Sequence, residues 1–258
     1  MENVFRMESV SAGYGGEVFM RGLDLNVGSG EFLSFIGPNG AGKSTILRLM
    51  SGLLRPAAGV VSFRGRDIAC ISARELASCF SVVMRLSGVV PAFTVESFLG
   101  FGLFPHRGGG SFTRARVREM AERSGIDHLM KRPVGELSTG EFQLVQVARA
   151  LVQNSSMVIL DEPVSNLDYG HAIRVMEILR ELNASGATVL CALHDVNTAS
   201  VYSSRIVCVK NGMLVSDGAP SAVVTAGNMR LLYDNEFLCM ENPVSGSPMI
   251  VPVPGGGC

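Results

Sequence analysis

The chain of 258 residues is poor in tryptophan and lysine. It has no tryptophan, and only three lysines stand among its 22 basic residues. The formal net charge is −1 and there is no basic run, so nothing in the sequence attracts nucleic acid non-specifically. No apolar run approaches the ~18 residues of a membrane-spanning helix. These absences argue against a nucleic-acid-binding class and against a membrane-spanning class.

The six cysteines show neither C-x-x-C pairing nor metal-ligand spacing. Cys191 and Cys208 lie in apolar, strand-like runs, where cysteine usually behaves as a small buried hydrophobe. The N-terminal residues have neither the basic start nor the apolar core of a signal peptide. We therefore predict reduced thiols in a cytosolic protein.

The most informative stretch that is present, Gly37–Thr45 (GPNGAGKST), fits the phosphate-binding loop pattern. An apolar run of strand length precedes it, and a segment with helical spacing follows it. The loop N–H groups converge on an anion, and the helix dipole favours the same negative charge. We predict that the chain binds a nucleoside triphosphate. The predicted contacts are Gly37, Pro38, Asn39, Gly40, Ala41, Gly42, Lys43, Ser44 and Thr45.

The alternation of strand-like and helical runs after residue 155 favours an α/β fold with a mostly parallel sheet and flanking helices. We predict a P-loop NTPase core with an N-terminal antiparallel β subdomain and an inserted α-helical subdomain. A chain of this length is expected to form a single domain. The predicted division is 1–85 and 156–258 for the core with its β subdomain, and 86–155 for the helical subdomain.

An apolar strand ends in two carboxylates, Asp161 and Glu162. Ligands gather at the carboxyl ends of parallel strands, so Asp161 is predicted to lie beside the loop and to hold Mg²⁺ together with the Ser44 hydroxyl. Glu162 is predicted to polarise the attacking water. The alternative is a solvated acidic turn at the end of a strand.

The segment Leu137–Glu141 (LSTGE) opens a predicted helix. Ser138 and Glu141 have the spacing of a capping box, so the segment is consistent with a well-capped helix and nothing more. Ser138 followed by Gly140 also leaves N–H groups open at a positive helix end, which suits a γ-phosphate. Both interpretations hold at this point.

Leu137–Glu141 resembles the signature motif of ABC transporter ATPases, whose usual form is Leu-Ser-Gly-Gly-Glu/Gln, and the resemblance covers nearly the whole chain. It implies that Tyr14 stacks on adenine, that Asp168 belongs to the D-loop, and that His194 contacts the γ-phosphate. From the residues alone, a strand or turn tyrosine is the alternative for Tyr14. His194 could likewise be a structural histidine at a strand end.

The resemblance implies ATP hydrolysis coupled to transport, with ATP and Mg²⁺ as cofactors. Glu162 would be the general base, and Lys43 and His194 would complete the catalytic group. Two copies would face head to tail, so that Ser138, Gly140 and Glu141 of one copy reach the ATP of the other. The implied partners are a second ATPase subunit, two permease subunits and, indirectly, a periplasmic or surface substrate-binding protein, without nucleic acid. The subunit would be cytoplasmic, peripheral on the inner face of the cell membrane.

Residues 242–248 with Pro252, and the segment 210–220, resemble ATPases that serve iron-siderophore, haem and cobalamin importers. Uptake of such a chelate through a separate permease is the predicted function. Other ABC importers or exporters are alternatives, and so is a soluble ABC ATPase acting on nucleic acid or ribosomes. A small-molecule kinase would share the phosphate loop but would have no use for Leu137–Glu141 or His194.

The aromatic residues Phe98, Phe101 and Phe104 fall in the region where the family receives the coupling helix of the permease. They could equally form the core of the helical subdomain, and the sequence does not separate the two roles.

Arg85 departs from the family pattern, which places a glutamine there to touch Mg²⁺ and the attacking water. The first glutamine of the chain is Gln143, so no shift in register restores one. Arginine has donors but no acceptor and cannot ligate Mg²⁺, whereas it can donate to a phosphate oxygen. We predict that Arg85 contacts phosphate or the transmembrane partner.

Replacing Arg85 by Gln and by Ala should change the ATPase rate or the coupling of hydrolysis to transport, because both changes remove the guanidinium. Phosphate release and substrate uptake measure the two effects. Parent-like values for both variants would show that Arg85 is only a surface residue.

Overall fold

The structure is a computed structural model, and it describes residues 3–84, 93–106 and 113–254. Arg85, the predicted boundary at 85–86 and part of the loop before α4 therefore lie outside the described residues, as does Cys258.

A six-stranded sheet forms the centre of the fold in the described residues. Its strands are β3 (Phe32–Ile36), β6 (Ser81–Val83), β7 (Met157–Asp161), β8 (Thr188–Ala192), β9 (Arg205–Lys210) and β10 (Met213–Gly218). The spatial order is β10-β9-β3-β8-β7-β6, and the pairs are parallel except for β10 with β9. Every residue of β3, β7 and β8 is buried, as expected for strands covered on both faces. The predicted mostly parallel sheet is confirmed.

A second, antiparallel sheet is built largely from the N-terminal residues, which confirms the predicted β subdomain. It contains β1 (Asn3–Tyr14), β2 (Glu17–Gly28), β4 (Ala58–Phe63) and β5 (Arg66–Asp67), in the order β2-β1-β4-β5. The ring centroids of Phe5 and Phe63 lie 5.0 Å apart, and Phe80 packs edge-on against Phe63 at 5.4 Å. This aromatic group belongs to a core cluster that also includes Phe35 and Leu190 of the central sheet. The antiparallel sheet is therefore packed onto one face of the central one.

The described helices pack against the two sheets and against one another. They are α1 (Lys43–Met50), α2 (Ala73–Cys79), α3 (Val95–Gly100), α4 (Thr113–Ser124), α5 (Thr139–Val152), α6 (Tyr169–Ala184), α7 (Val196–Tyr202), α8 (Pro220–Val223) and α9 (Ala226–Tyr233). Leu99, Met120 and Val145 place α3, α4 and α5 in one core cluster with the opposite face of the central sheet. Among the described helices, none has both the length and the hydropathy that crossing a membrane requires.

A C-terminal hairpin, β11 (Phe237–Glu241) and β12 (Pro248–Pro252), packs against α7. The Asn197 side chain donates to the Ile250 carbonyl at 3.1 Å and accepts from the Ile250 N–H at 2.8 Å. It thus occupies the hydrogen-bonding positions that a neighbouring strand would take. Cys191 and Cys208 are fully buried, which agrees with their predicted role as small hydrophobes.

Candidate nucleotide site

The predicted phosphate loop joins the end of β3 to the start of α1. Gly42 stands immediately before α1 with φ +110°, a conformation that favours glycine. Because Gly42 has no side chain, it cannot accept a hydrogen bond from the first turn of the helix. The first N–H groups of α1 are thus left for an anion, and the helix dipole reinforces that preference.

Lys43 is buried inside the loop that precedes it. Its Nζ donates to the Gly37 carbonyl at 2.7 Å and to the Pro38 carbonyl at 3.0 Å. Burial lowers the pKa of the ammonium, and the charges of Glu162 and Asp161 oppose that shift. Hydrogen bonds between charged groups are roughly twice as strong as neutral ones. A phosphate oxygen therefore competes well with these two carbonyls for the lysine.

Ser44 and Asp161, the two predicted metal ligands, are in direct contact. The Ser44 hydroxyl donates to Asp161 Oδ1 at 2.9 Å, although the residues are 117 positions apart in sequence. Asp161 is the last residue of β7 and is buried. A hydroxyl and a carboxylate are hard oxygen donors of the kind Mg²⁺ prefers, so the chemistry of this pair fits the ion.

Glu162 and His194 meet at the ends of two neighbouring strands. Glu162 follows β7, His194 follows β8 by two residues, and Glu162 Oε1 lies 2.5 Å from His194 Nε2. The Glu162 N–H donates to the Ala192 carbonyl at 3.1 Å, which holds its main chain against β8. The Glu162 carboxylate is 8% exposed and the His194 ring 41%. The arrangement presents a nearly buried proton acceptor beside an accessible imidazole.

Tyr14 ends β1 and lies against the first turn of α1. Its hydroxyl is 3.3 Å from Thr45 Oγ1 and accepts a hydrogen bond from Arg48 at 3.1 Å. The ring stacks on Phe19 with centroids 6.4 Å apart and remains 47% exposed. The structure therefore places an anchored, half-exposed aromatic ring next to the phosphate loop.

The segment before α5 forms the capping box that the sequence indicates. Ser138 Oγ accepts from the Glu141 N–H at 3.3 Å, and Glu141 Oε2 accepts from the Ser138 N–H at 2.7 Å. The Ser138 backbone hydrogen bond is the main cause that lowers the pKa of Glu141, and Arg132 at 3.0 Å adds to it. The capping interpretation is correct. The Glu141 carboxylate is bonded to Ser138 and Arg132 of its own chain.

Asp168 caps α6 and is paired with His171. Asp168 Oδ1 accepts from the His171 N–H at 2.9 Å, and Oδ2 lies 2.7 Å from His171 Nδ1. The His171 N–H is the main cause that lowers the pKa of Asp168. Ser138 and Gly140 line the same cavity, of about 350 Å³, as Asp168 and His171. The predicted signature motif and the predicted D-loop are thus neighbours.

Gln143 is a further neighbour of the site that sequence reasoning missed. Its Nε2 donates to the main-chain carbonyl of Glu162 at 3.2 Å, which brings α5 onto the residue that follows β7. No local pattern at Gln143 signals this contact, because it depends on how the helical region packs against the sheet.

Phe98, Phe101 and Phe104 of the helical region differ in burial. Phe98 is 5% exposed and packs against Phe142, whereas Phe101 is 43% and Phe104 57% exposed. The Arg149 guanidinium lies 5.3 Å from the centre of the Phe98 ring, and burial lowers its pKa. Phe98 is therefore a core residue, and Phe101 and Phe104 are the ones accessible to a partner.

The parallel sheet, the glycine loop before α1 and the carboxylates at the end of β7 together define a P-loop NTPase. A family model described as ABC transporter matches residues 20–165. The ferric enterobactin transport ATP-binding protein of Escherichia coli K12 is 34% identical over an alignment of 261 positions, which covers 98% of this chain and 96% of the relative. The hemin import ATP-binding protein of Rhodopseudomonas palustris HaA2 is 36% identical over an alignment of 258 positions, which covers 95% of this chain and 97% of the relative.

A solved structure of an ATP-binding cassette, dimeric in a post-hydrolysis state with ADP and Pi, is similar at a TM-score of 0.75 and 27% identity. The match covers 83% of this chain and 98% of that one. The chain belongs to the ABC transporter family and is an ABC-type ATPase.

Gly37→Ala should abolish binding of Mg-ATP, whereas Gly40→Ala should only weaken it. A Cβ at Gly37 would lie 2.0 Å from the Val209 carbonyl oxygen, so the loop would have to move. At Gly40, with φ +76°, a Cβ meets no atom of the described residues within 4 Å, and the cost is about 1 kcal/mol of backbone strain. Titration calorimetry with Mg-ATP measures both variants, and thermal melting checks their folding. Equal affinities would contradict the role of the close approach at Gly37.

Proposed function

We propose that this chain is the ATP-hydrolysing subunit of an importer that takes up an iron-siderophore, haem or cobalamin through a separate permease. The observation that carries the proposal is the convergence of Lys43, the Ser44–Asp161 pair and the Glu162–His194 pair at the carboxyl ends of the parallel strands. The named functions of the enterobactin and hemin relatives support this class of cargo.

Binding of ATP would use the loop as it is already shaped. Lys43 would exchange its two carbonyl acceptors for β- and γ-phosphate oxygens, and the N–H groups at the start of α1 would donate to the same phosphates. Ser44 and Asp161 would hold Mg²⁺, which would supply positive charge against the negative charge of the phosphates. The exposed face of Tyr14 would stack on the adenine ring.

Hydrolysis would depend on Glu162 and His194. Water adds to the γ-phosphorus while the bond to the β–γ bridging oxygen breaks, and ADP and phosphate are released. The Glu162 carboxylate accepts the proton that the water loses, and its low exposure limits competition from solvent. His194, whose Nε2 lies 2.5 Å from that carboxylate, would donate to a γ-phosphate oxygen through its other ring nitrogen.

A second copy of the chain would complete the site. Ser138 and Gly140 stand at the N-terminus of α5, which carries a partial positive charge. In a head-to-tail dimer these N–H groups would face the γ-phosphate held by the other copy, with Asp168 beside them. ATP would then bind more tightly to the closed dimer than to separate subunits, and hydrolysis would release the closed state.

The permease would be contacted through the helical region. Phe101 and Phe104 are large, exposed apolar side chains on that region, and such groups mark surfaces that another protein covers. Docking there would place the subunit on the inner face of the membrane through its partner. Closing and opening of the ATPase dimer would then move the permease.

Glu162→Gln should lower the hydrolysis rate by about 10² to 10⁴-fold, the range for loss of a general base. The amide keeps the shape of the side chain but cannot take the proton, so Mg-ATP should accumulate in a stable dimer. Phosphate release measures the rate, and light scattering after size exclusion measures the dimer. Glu181→Gln, which changes an exposed carboxylate, is the matched control. Retention of parent-like turnover by Glu162→Gln would contradict the role of Glu162.

Uptake assays identify the cargo. Cells that carry the chain with its accompanying permease should accumulate one of three labelled ligands, a ferric siderophore, haem or cobalamin, and the Glu162→Gln chain should support none. If the parent chain supports none of the three and instead co-purifies with ribosomes or nucleic acid, the importer assignment is wrong.

A further inference from the structure

We infer that Gln143 is a positioning residue for Glu162, and that it links the helix beginning at the signature segment to the catalytic carboxylate of the same chain. The inference rests on the proposed role of Glu162 as general base. It adds a connection between two sites that lie in one chain but would act on two different ATP molecules.

The Glu162 carbonyl is held from two directions. Gln143 Nε2, from α5, donates to it at 3.2 Å. Ser165 donates to the same oxygen through its hydroxyl at 3.2 Å and through its N–H at 3.3 Å. A carbonyl oxygen has two lone pairs and can accept from both residues at once, so the helical region and the turn at Ser165 together fix its direction.

The main chain at Glu162 is also in an unusual conformation, with φ +54°. A non-glycine residue in the left-handed region persists only where its surroundings over-determine it. Here the Glu162 N–H is bonded to the Ala192 carbonyl, the carbonyl to Gln143 and Ser165, and the carboxylate to His194. Loss of one of these restraints changes the orientation of the peptide, and the carboxylate moves with it.

Gln143 lies on α5 about one and a half turns after Ser138, which caps that helix. Ser138 is the part of α5 that would face the ATP of a second copy. Because a helix moves as a rigid element, a shift of α5 on engaging that ATP is transmitted through Gln143 to the Glu162 carbonyl. Occupancy of one composite site thereby adjusts the base of the other.

Gln153 provides a matched control at the opposite end of α5. Its Nε2 donates to the carbonyls of Ala77 at 2.6 Å and Phe80 at 3.1 Å. Like Gln143, it ties α5 to main-chain carbonyls of the rest of the chain, but it does not touch Glu162. A purely structural role for such glutamines would make the two positions equivalent.

The test compares Gln143→Met with Gln153→Met in the full-length chain. Methionine keeps the length of the side chain and removes the donor. We expect Gln143→Met to lower kcat roughly tenfold, as a misplaced catalytic group does, with KM and the affinity for Mg-ATP unchanged. Gln153→Met should keep the parental kcat, and the melting temperatures of the two variants should fall by similar amounts. Gln143→Glu, which sets an acceptor against the carbonyl, should lower kcat at least as far.

If Gln143→Met has the kcat of Gln153→Met, the inference is wrong. Glu162→Gln in the same assay separates this failure from failure of the proposed function. An inactive Glu162→Gln together with a parent-like Gln143→Met overturns only the role of Gln143. Full activity of Glu162→Gln would overturn the role of Glu162 and this inference with it.

Discussion

The parallel register of β3, β8 and β7 is the constraint on which the site depends. Phe35 pairs with Ala192, and Ala192 pairs with Asp161, so the three strands end at the same level. The phosphate loop follows β3, Asp161 ends β7 and Glu162 comes next, and His194 lies two residues after β8. A slip of one residue would turn Asp161 to the other face of the sheet and separate it from Ser44. Burial of all three strands on both faces makes such a slip costly.

The site also brings charged side chains together in a buried environment, where an unpaired charge is destabilising. Lys43, Asp161 and Glu162 are all buried, and a buried charge is tolerated only when it is paired and hydrogen-bonded. Here opposite charges and main-chain carbonyls supply those partners within the loop and at the strand ends. A bound triphosphate would bring in further negative charge next to the one buried ammonium of this group. The site is therefore arranged to exchange internal partners for those of a bound nucleotide.

Local sequence patterns were sufficient to predict those elements and groups that depend on residues close together in the chain. The glycine loop, the capping box of Ser138 and Glu141, and the buried strands were all predicted, because turn geometry, capping and burial leave short-range signals. The contact of Gln143 with Glu162 was not predicted, because it joins a helix to the end of a strand 19 residues away. The pairing of His171 with Asp168 had only a three-residue spacing to indicate it.

Sequence alone determined the class of this protein: a strand, a glycine loop with Lys43, and an apolar strand that leads into Asp161 and Glu162 are the pattern of a P-loop ATPase. Each of these signals can be recognised in the sequence because it needs a particular residue type at a particular spacing. Tertiary structure decided which groups meet. It divided Phe98 from Phe101 by burial and set the Gln143 amide on the main chain of Glu162. Contacts of this kind arise from the packing of distant elements, and packing has no signature in a single sequence.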